Sequence, residues 1–341
     1  MKANSRICLL IFSLCFSYTS VTAQEILVMS SPEEVIEWFQ SKNWWGEANR
    51  AQQLAVPRAI ITSTGANWRT NSRDLTVATK KEIFYRSLLP LIMHANEMVL
   101  DRRERLRLIQ VQLDDGASPS PLDIDWLAEI ADVLRISNSG DRGIDELTMD
   151  DLGRFVTEAL YRLDVIPAGL ALGQAAYESG YGTSRFAAEG NALFGQWTFG
   201  GSGLVPEKQR GELGDHRIAA FDWPFDSVRS YFINLNSHPA YEDFRRLRAD
   251  LRQQGKALDS HVLADGLIRY SERGQEYVDT LKGIMRVNNL AIADAAMFRD
   301  EPLIFIIGAE DESDAIRVRE EIEKMRETGE IEQIIRQMAL E

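Results

Sequence analysis

The chain has 341 residues, enough to bury one large or two modest hydrophobic cores. Its formal net charge of −14 argues against a nucleic-acid partner and against simple electrostatic adhesion to an anionic surface. The two cysteines sit at positions 8 and 15, and the four histidines show no metal spacing, which argues against thiol chemistry and a zinc site.

The first element is a leader. Lys2 and Arg6 form a basic start, Ile7 to Phe16 an apolar run too short to span a bilayer comfortably, and Val21-Thr22-Ala23 a small-x-small cleavage site. A signal peptide is therefore expected over residues 1–23. The chain is expected to be exported, periplasmic or envelope-associated, without a stable membrane anchor. Both cysteines leave with the leader, so no disulfide is expected.

A helical N-terminal region is expected over 24–143. Ser31 before Pro32, Glu33 and Glu34 reads as a helix start. Trp38, Phe39, Trp44 and Trp45 read as a cluster that docks this segment onto the body rather than as a sugar platform. Val56 to Thr64 reads as extended. Thr79-Lys80-Lys81-Glu82 reads as a capping box opening a long helix, in which Ile83, Leu88, Ile92, Ala95, Val99 and Leu106 keep helical spacing and Pro90 should introduce a kink. Its Glu97, Asp101, Arg102 and Arg103 read as a solvated or structural face. Asp114 to Pro121 is a loop, Asp123 to Leu134 a helix, and Ser137 to Gly143 a boundary loop.

The core is expected over 144–299. Thr148 caps a helix carrying Leu152, Phe155, Val156 and Ala159. Pro167 to Tyr177 reads as a buried helix with Leu170, Gln174 and Glu178 on one face, stopped by Gly180 and Gly182. Glu178 then lies at a helix C-terminus, where the dipole disfavours negative charge, and partial burial raises its pKa further. Such a carboxyl group is suited to donate a proton near neutral pH. Thr198 to Gly214 is glycine-rich and polar, His216 to Phe221 reads as a strand, and Pro224 to Asn236, with Val228, Tyr231, Phe232 and Leu235 apolar, and Ala257 to Leu267 read as helices. Residues 300–341 read as a C-terminal accessory segment: a short apolar run, Leu303 to Ile307, and a charged helix, Asp314 to Leu340.

The stretch Gly173-Gln174-Ala175-Ala176-Tyr177-Glu178-Ser179-Gly180-Tyr181-Gly182-Thr183-Ser184, followed by Asn191-Ala192-Leu193-Phe194-Gly195, resembles the glucosaminidase domain of bacterial peptidoglycan hydrolases, glycoside hydrolase family 73. Gln196-Trp197, Lys81 to Leu106 and Asn234 to Tyr241 look like the Bax-like branch of that family, and Tyr270 to Tyr277 loosely matches its Y-A-x-x-x-x-Y segment. Tyr181 stands where the family usually has Trp, which keeps an aromatic wall. The resemblance implies a mainly α protein, with a lysozyme-like catalytic domain and a small β-lobe preceded by the helical region. It implies an endo-β-N-acetylglucosaminidase that cleaves the β-1,4 bond on the reducing side of GlcNAc in peptidoglycan glycan strands, with no cofactor and no metal. Nothing in the sequence identifies a protein partner.

The resemblance also implies site residues. Glu178 is the acid. Glycoside hydrolysis usually needs a second carboxylate across the cleft; Glu212 corresponds best, Glu207 is the fallback, and Asp215 is close by. Gln174, Tyr181, Asn191, Phe194, Trp197, Tyr270 and Tyr277 are the implied substrate-binding positions. A lytic transglycosylase also starts from E-S-G, but its usual G-L-M-Q continuation is missing. A noncatalytic glycan-binding protein is the other alternative, and the intact Glu178 and N-x-L-F-G segment count against it.

Overall fold

In a computed structural model, residues 25–46, 54–62, 68–137, 142–199, 203–205 and 216–330 are described; the expected leader lies outside them. The chain is mainly helical, yet it opens on a strand, β1 (Glu25–Met29). Helix α1 (Pro32–Ser41) follows, capped as its sequence suggests, with the Ser31 hydroxyl accepting from Glu34 N at 3.2 Å. Trp38, Phe39 and the following Trp44 are buried, so the aromatic cluster docks the segment on the body. Two short strands, β2 (Ala55–Val56) and β3 (Ala59–Ile61), and a one-turn helix α2 (Trp68–Asn71) lead to the 38-residue α3 (Val77–Asp114).

Helix α3 begins three residues earlier than its apparent capping box. Thr76, not Thr79, accepts the cap bond, from Thr79 N at 3.1 Å. Glu82, which a box at Thr79 would use, is taken by Gly46 N at 2.6 Å and Arg86 Nε at 2.9 Å. The helix runs unbroken through Pro90. Proline has no N–H, so the Arg86 carbonyl loses its helical donor; the Trp44 indole donates to it at 3.4 Å. Farther along, Glu97 pairs with Arg58 through two hydrogen bonds, of 2.9 and 2.6 Å. Arg103 is buried and donates to the carbonyls of Leu160 and Leu163. This face of α3 is structural.

Helices α4 (Pro121–Leu134) and α5 (Met149–Arg162) pack beside α3, α5 capped by Thr148. Helix α6 (Ala168–Ser179) is the centre of the molecule: every residue from Ala168 to Ala176 is buried. Its small side chains permit this. A Cβ on Gly169 would lie 2.5 Å from the Leu290 carbonyl oxygen, and one on Gly173 would lie 2.9 Å from Met285 Cγ. Pro167 offers no side-chain cap. Asp294 supplies one from a distance, accepting from Gly169 N at 2.8 Å and Ser260 N at 2.9 Å.

After α7 (Arg185–Gly190) come β4 (Trp197–Phe199), β5 (Gly203–Leu204) and β6 (His216–Ala219), an antiparallel sheet in the order β4-β6-β5, which is the expected small β-lobe. Helices α8 (Pro224–Ser237) and α9 (Glu242–Gln253) follow. The helix expected over 257–267 is split into the five-residue α10 (Ser260–Ala264) and a 3-10 turn over Asp265–Tyr270. Gly266 packs against the α9 backbone there; a Cβ on it would lie 2.4 Å from Phe244 Cα. Helix α11 (Gln275–Val287) completes the enclosure of α6.

The end of the chain closes on its beginning. Strand β7 (Met297–Phe298) pairs parallel with β2, and β8 (Ile304–Gly308) lies between β1 and β3 in a parallel sheet. The segment after residue 300 therefore supplies the middle strand of the N-terminal sheet, and the N-terminal region is not helical throughout. Ile304, Phe305 and Ile306 are buried on both faces, as a central parallel strand requires. Helix α12 (Glu312–Thr328) packs back on β1, and the remainder of the helix expected to Leu340 lies outside the described residues from 331 on.

Two glycine substitutions should separate close packing from backbone freedom. Gly169→Ala is expected to destabilise by about 1–3 kcal/mol, because backbone cannot move aside as a flexible side chain can. Gly153→Ala, in α5 with nothing within 4 Å of the new Cβ, should stabilise by about 0.4–1 kcal/mol. Urea unfolding of both variants checks the two signs.

Candidate active site

Glu178 stands in the last turn of α6, and the turn after it is fixed locally. Gly180 adopts the left-handed conformation and ends the helix. The Ser179 hydroxyl donates to Ala175 O at 2.6 Å and accepts from Gly182 N at 2.8 Å. Ser184 then caps α7, accepting from Ala187 N at 3.2 Å. The chain returns over the carboxyl group through 191–195. Asn191 is left-handed, and its amide donates to the carbonyls of Phe221 and Asp222 at 3.0 and 3.1 Å. Leu193 N donates to Ser227 Oγ at 3.1 Å. Gly195, with φ +63°, rests against Glu178; a Cβ there would come within 2.9 Å of Glu178 Oε2.

Under Glu178 lies a floor of buried polar and aromatic groups. Tyr231 of α8 donates to Gln174 Oε1 at 2.5 Å, and Gln174 Nε2 donates to the Tyr277 hydroxyl at 3.0 Å. The Tyr277 hydroxyl faces the Glu178 carboxyl group closely enough to favour its charged form. Phe194 stacks on Tyr231 at 4.0 Å, and Tyr270 stacks on Tyr277 at 5.7 Å while donating to Phe194 O at 2.8 Å. Burial holds the hydroxyls of Tyr231, Tyr270 and Tyr277 well above the usual tyrosine range, so all three are neutral donors.

Burial pushes Glu178 up to about 7, against the opposing pull of the Tyr277 hydroxyl. A carboxyl group poised there holds a proton at neutral pH and can release it to a bound oxygen. Among the described residues no group of His, Cys, Asp and Glu could hold a metal ion.

The structure gathers Gln174, Phe194, Tyr270 and Tyr277 around Glu178. Gln174, Phe194 and Tyr277 are fully enclosed and support the carboxyl group from below. Tyr181 lies on another side, left-handed, edge-on to Phe84 and Tyr85 at 5.8 and 5.9 Å, with the Lys81 ammonium 5.0 Å above its ring. The Asn191 side chain is committed to the loop at 221–222. Trp197 starts β4, paired with Ile218. Glu207, Glu212 and Asp215 lie outside the described residues. Sequence reasoning missed Tyr231, which counted only as an apolar position of α8. Its partner is 57 residues away, and no local pattern connects them. The Gly195 contact had a signal, the glycine closing N-x-L-F-G, but not its target.

Residues 154–290 match the Glucosaminidase family model, described as mannosyl-glycoprotein endo-beta-N-acetylglucosaminidase. Protein bax of Escherichia coli (strain K12) is 32% identical over 216 residues, which covers 63% of this chain and 72% of that protein. No solved structure matches.

The raised Glu178 carries a stability cost with a defined pH window. The unfolded chain loses this proton near the ordinary glutamate value of 4.5, the folded chain only near 7. Between these values the native state binds more protons, so this group's contribution to stability falls as pH rises. Glu178→Gln should therefore be more stable than the parent above pH 7, by about 2–3 kcal/mol after allowance for partial exposure. The difference should close below pH 4.5. Urea unfolding at pH 4 and pH 8 measures it.

Proposed function

The chain belongs to the family of Bax-like glucosaminidase-domain proteins, glycan hydrolases, and from that premise we propose that it is an endo-β-N-acetylglucosaminidase of peptidoglycan. The proposed bond is the β-1,4 linkage on the reducing side of GlcNAc. The observation that carries the reading is the Glu178 carboxyl group, half-buried at the end of α6 and pushed up to about 7.

In the proposed reaction Glu178 gives its proton to the glycosidic oxygen as the bond to C1 breaks. The sugar left behind carries positive charge at C1 and needs a partner on its other side. Glu212 is the proposed partner, with Glu207 as the fallback and the substrate's own acetamido group as the remaining possibility. The Tyr277 hydroxyl steadies the carboxylate that Glu178 becomes. Activity should fall as pH rises past the Glu178 pKa, because the acid is then already spent. The apolar leader supports export to the periplasm or envelope, where peptidoglycan is found, and no described helix is long and apolar enough to cross a membrane.

Three isosteric variants test the roles on one purified peptidoglycan. Glu178→Gln should slow cleavage by about two orders of magnitude or more while remaining folded. Glu212→Gln should slow it strongly and Glu207→Gln less, all with melting temperatures as controls. Parent-like cleavage by Glu178→Gln would remove it as the acid. Parent-like cleavage by both others would point to the acetamido group or to Asp215.

A further inference from the structure

The hydrogen bonds beneath Glu178 have a direction, and Tyr231 sets it. Tyr231 is fully enclosed, and its hydroxyl meets Gln174 Oε1 at 2.5 Å. With Oε1 accepting there, the Gln174 amide nitrogen faces Tyr277 and donates to its hydroxyl at 3.0 Å. An amide N–H can only donate, so the Tyr277 oxygen accepts and its own proton is left for Glu178. Turned over, the same amide would donate to Tyr231, leaving the enclosed Tyr231 proton without an acceptor among the described residues, and would accept from Tyr277, whose proton would then point away from the carboxyl group. The first arrangement serves a carboxylate. The second serves a carboxylic acid that donates to Tyr277.

The geometry points to Tyr231 as a positioning residue for the proposed hydrolysis: by holding the Gln174 amide in one orientation, it keeps the Tyr277 hydroxyl aimed at Glu178 as that group gives up its proton. This rests on Glu178 being the acid, as proposed above. The carboxylate forms in surroundings that penalise charge, and a donor already aimed at it stabilises it without reorganisation. Among the described residues, the titratable groups facing Glu178 are Tyr277 from α11, Tyr231 from α8, Tyr241 from the turn before α9, and Tyr270 from the turn before α11. The shift of Glu178 comes from burial and from Tyr277, so the orientation of that one hydroxyl should be visible in its titration.

The test is a carbon-13 NMR titration of protein labelled at the glutamate side-chain carboxyl carbon, with the Glu178 signal identified by its loss in Glu178→Gln. The parent midpoint should lie at about 7. Tyr231→Phe keeps the stack on Phe194 but frees the amide to turn, and should raise the midpoint by about one pH unit, a tenfold fall in acidity. Tyr277→Phe should raise it similarly, and the double variant should titrate like Tyr277→Phe alone, because Tyr231 acts only through Tyr277. An unchanged midpoint in Tyr231→Phe, or additive shifts in the double variant, would overturn the proposal. Should Tyr231→Phe not fold, proton NMR of the parent gives the answer. The Gln174 side-chain amide protons should show NOEs to the Tyr277 ring on both sides of the Glu178 midpoint, whereas NOEs to the Tyr231 ring in place of these would overturn the proposal.

None of these titrations needs turnover, so they separate the hydrogen-bond chain from the glycosidase reading. On peptidoglycan, the falling limb of kcat/KM should move up with the midpoint in Tyr231→Phe. A limb that stays in place while the midpoint moves would overturn Glu178 as the acid, and with it the use proposed for Tyr231.

Discussion

A carboxyl group largely withdrawn from water, with no cation brought to it among the described residues, tends to keep its proton, and the surroundings of Glu178 are arranged to that end. Helix α6 can be buried on all sides because it is made of small residues. Gly169 and Gly173 let the 290 turn and α11 come within contact of its backbone. Gly195 lets the returning loop lie directly on the Glu178 carboxyl oxygen. Each glycine excludes solvent by removing a side chain that would hold two elements apart. Neutral tyrosines fill what space remains, and the opposing pull of the Tyr277 hydroxyl only partly offsets the burial.

The two ends of α6 show how the helix dipole is used. At the N-terminus, where negative charge is favoured, Asp294 accepts from Gly169 N and also ties down α10 through Ser260. At the C-terminus, where negative charge is disfavoured, stands Glu178. The first carboxyl group anchors the helix and the second is destabilised when charged. Such a residue weakens the fold above its pKa, and the packing of α6 by α3, α11 and the 290–295 turn carries that weakness.

Much of the fold was legible because its signals are local. The caps at Ser31 and Thr148, the proline at the start of α8, and the glycine stop after Glu178 all act within one turn of where they are read. The active-site motif was legible for the same reason, since Gln174 and Glu178 are one turn apart. What was not legible depends on distant partners. Glu25 pairs with Ile304 across almost the whole chain, so the strand at 304–308 looked like an isolated apolar run. Thr79 and Glu82 spelled a capping box, but Glu82 was claimed by Gly46 and Arg86. Tyr231 looked like one more apolar position until the fold set it against Gln174. Local chemistry singled out Glu178; only the assembled core shows what packs around it.

The central claim is that this arrangement hydrolyses peptidoglycan at GlcNAc by proton donation from Glu178. Its most direct test is mass analysis of the products released from purified peptidoglycan, after borohydride reduction of the new ends. The account predicts reduced GlcNAc at those ends. Anhydro-muramic ends would contradict it in favour of transglycosylation, and intact glycan strands would contradict any catalytic reading.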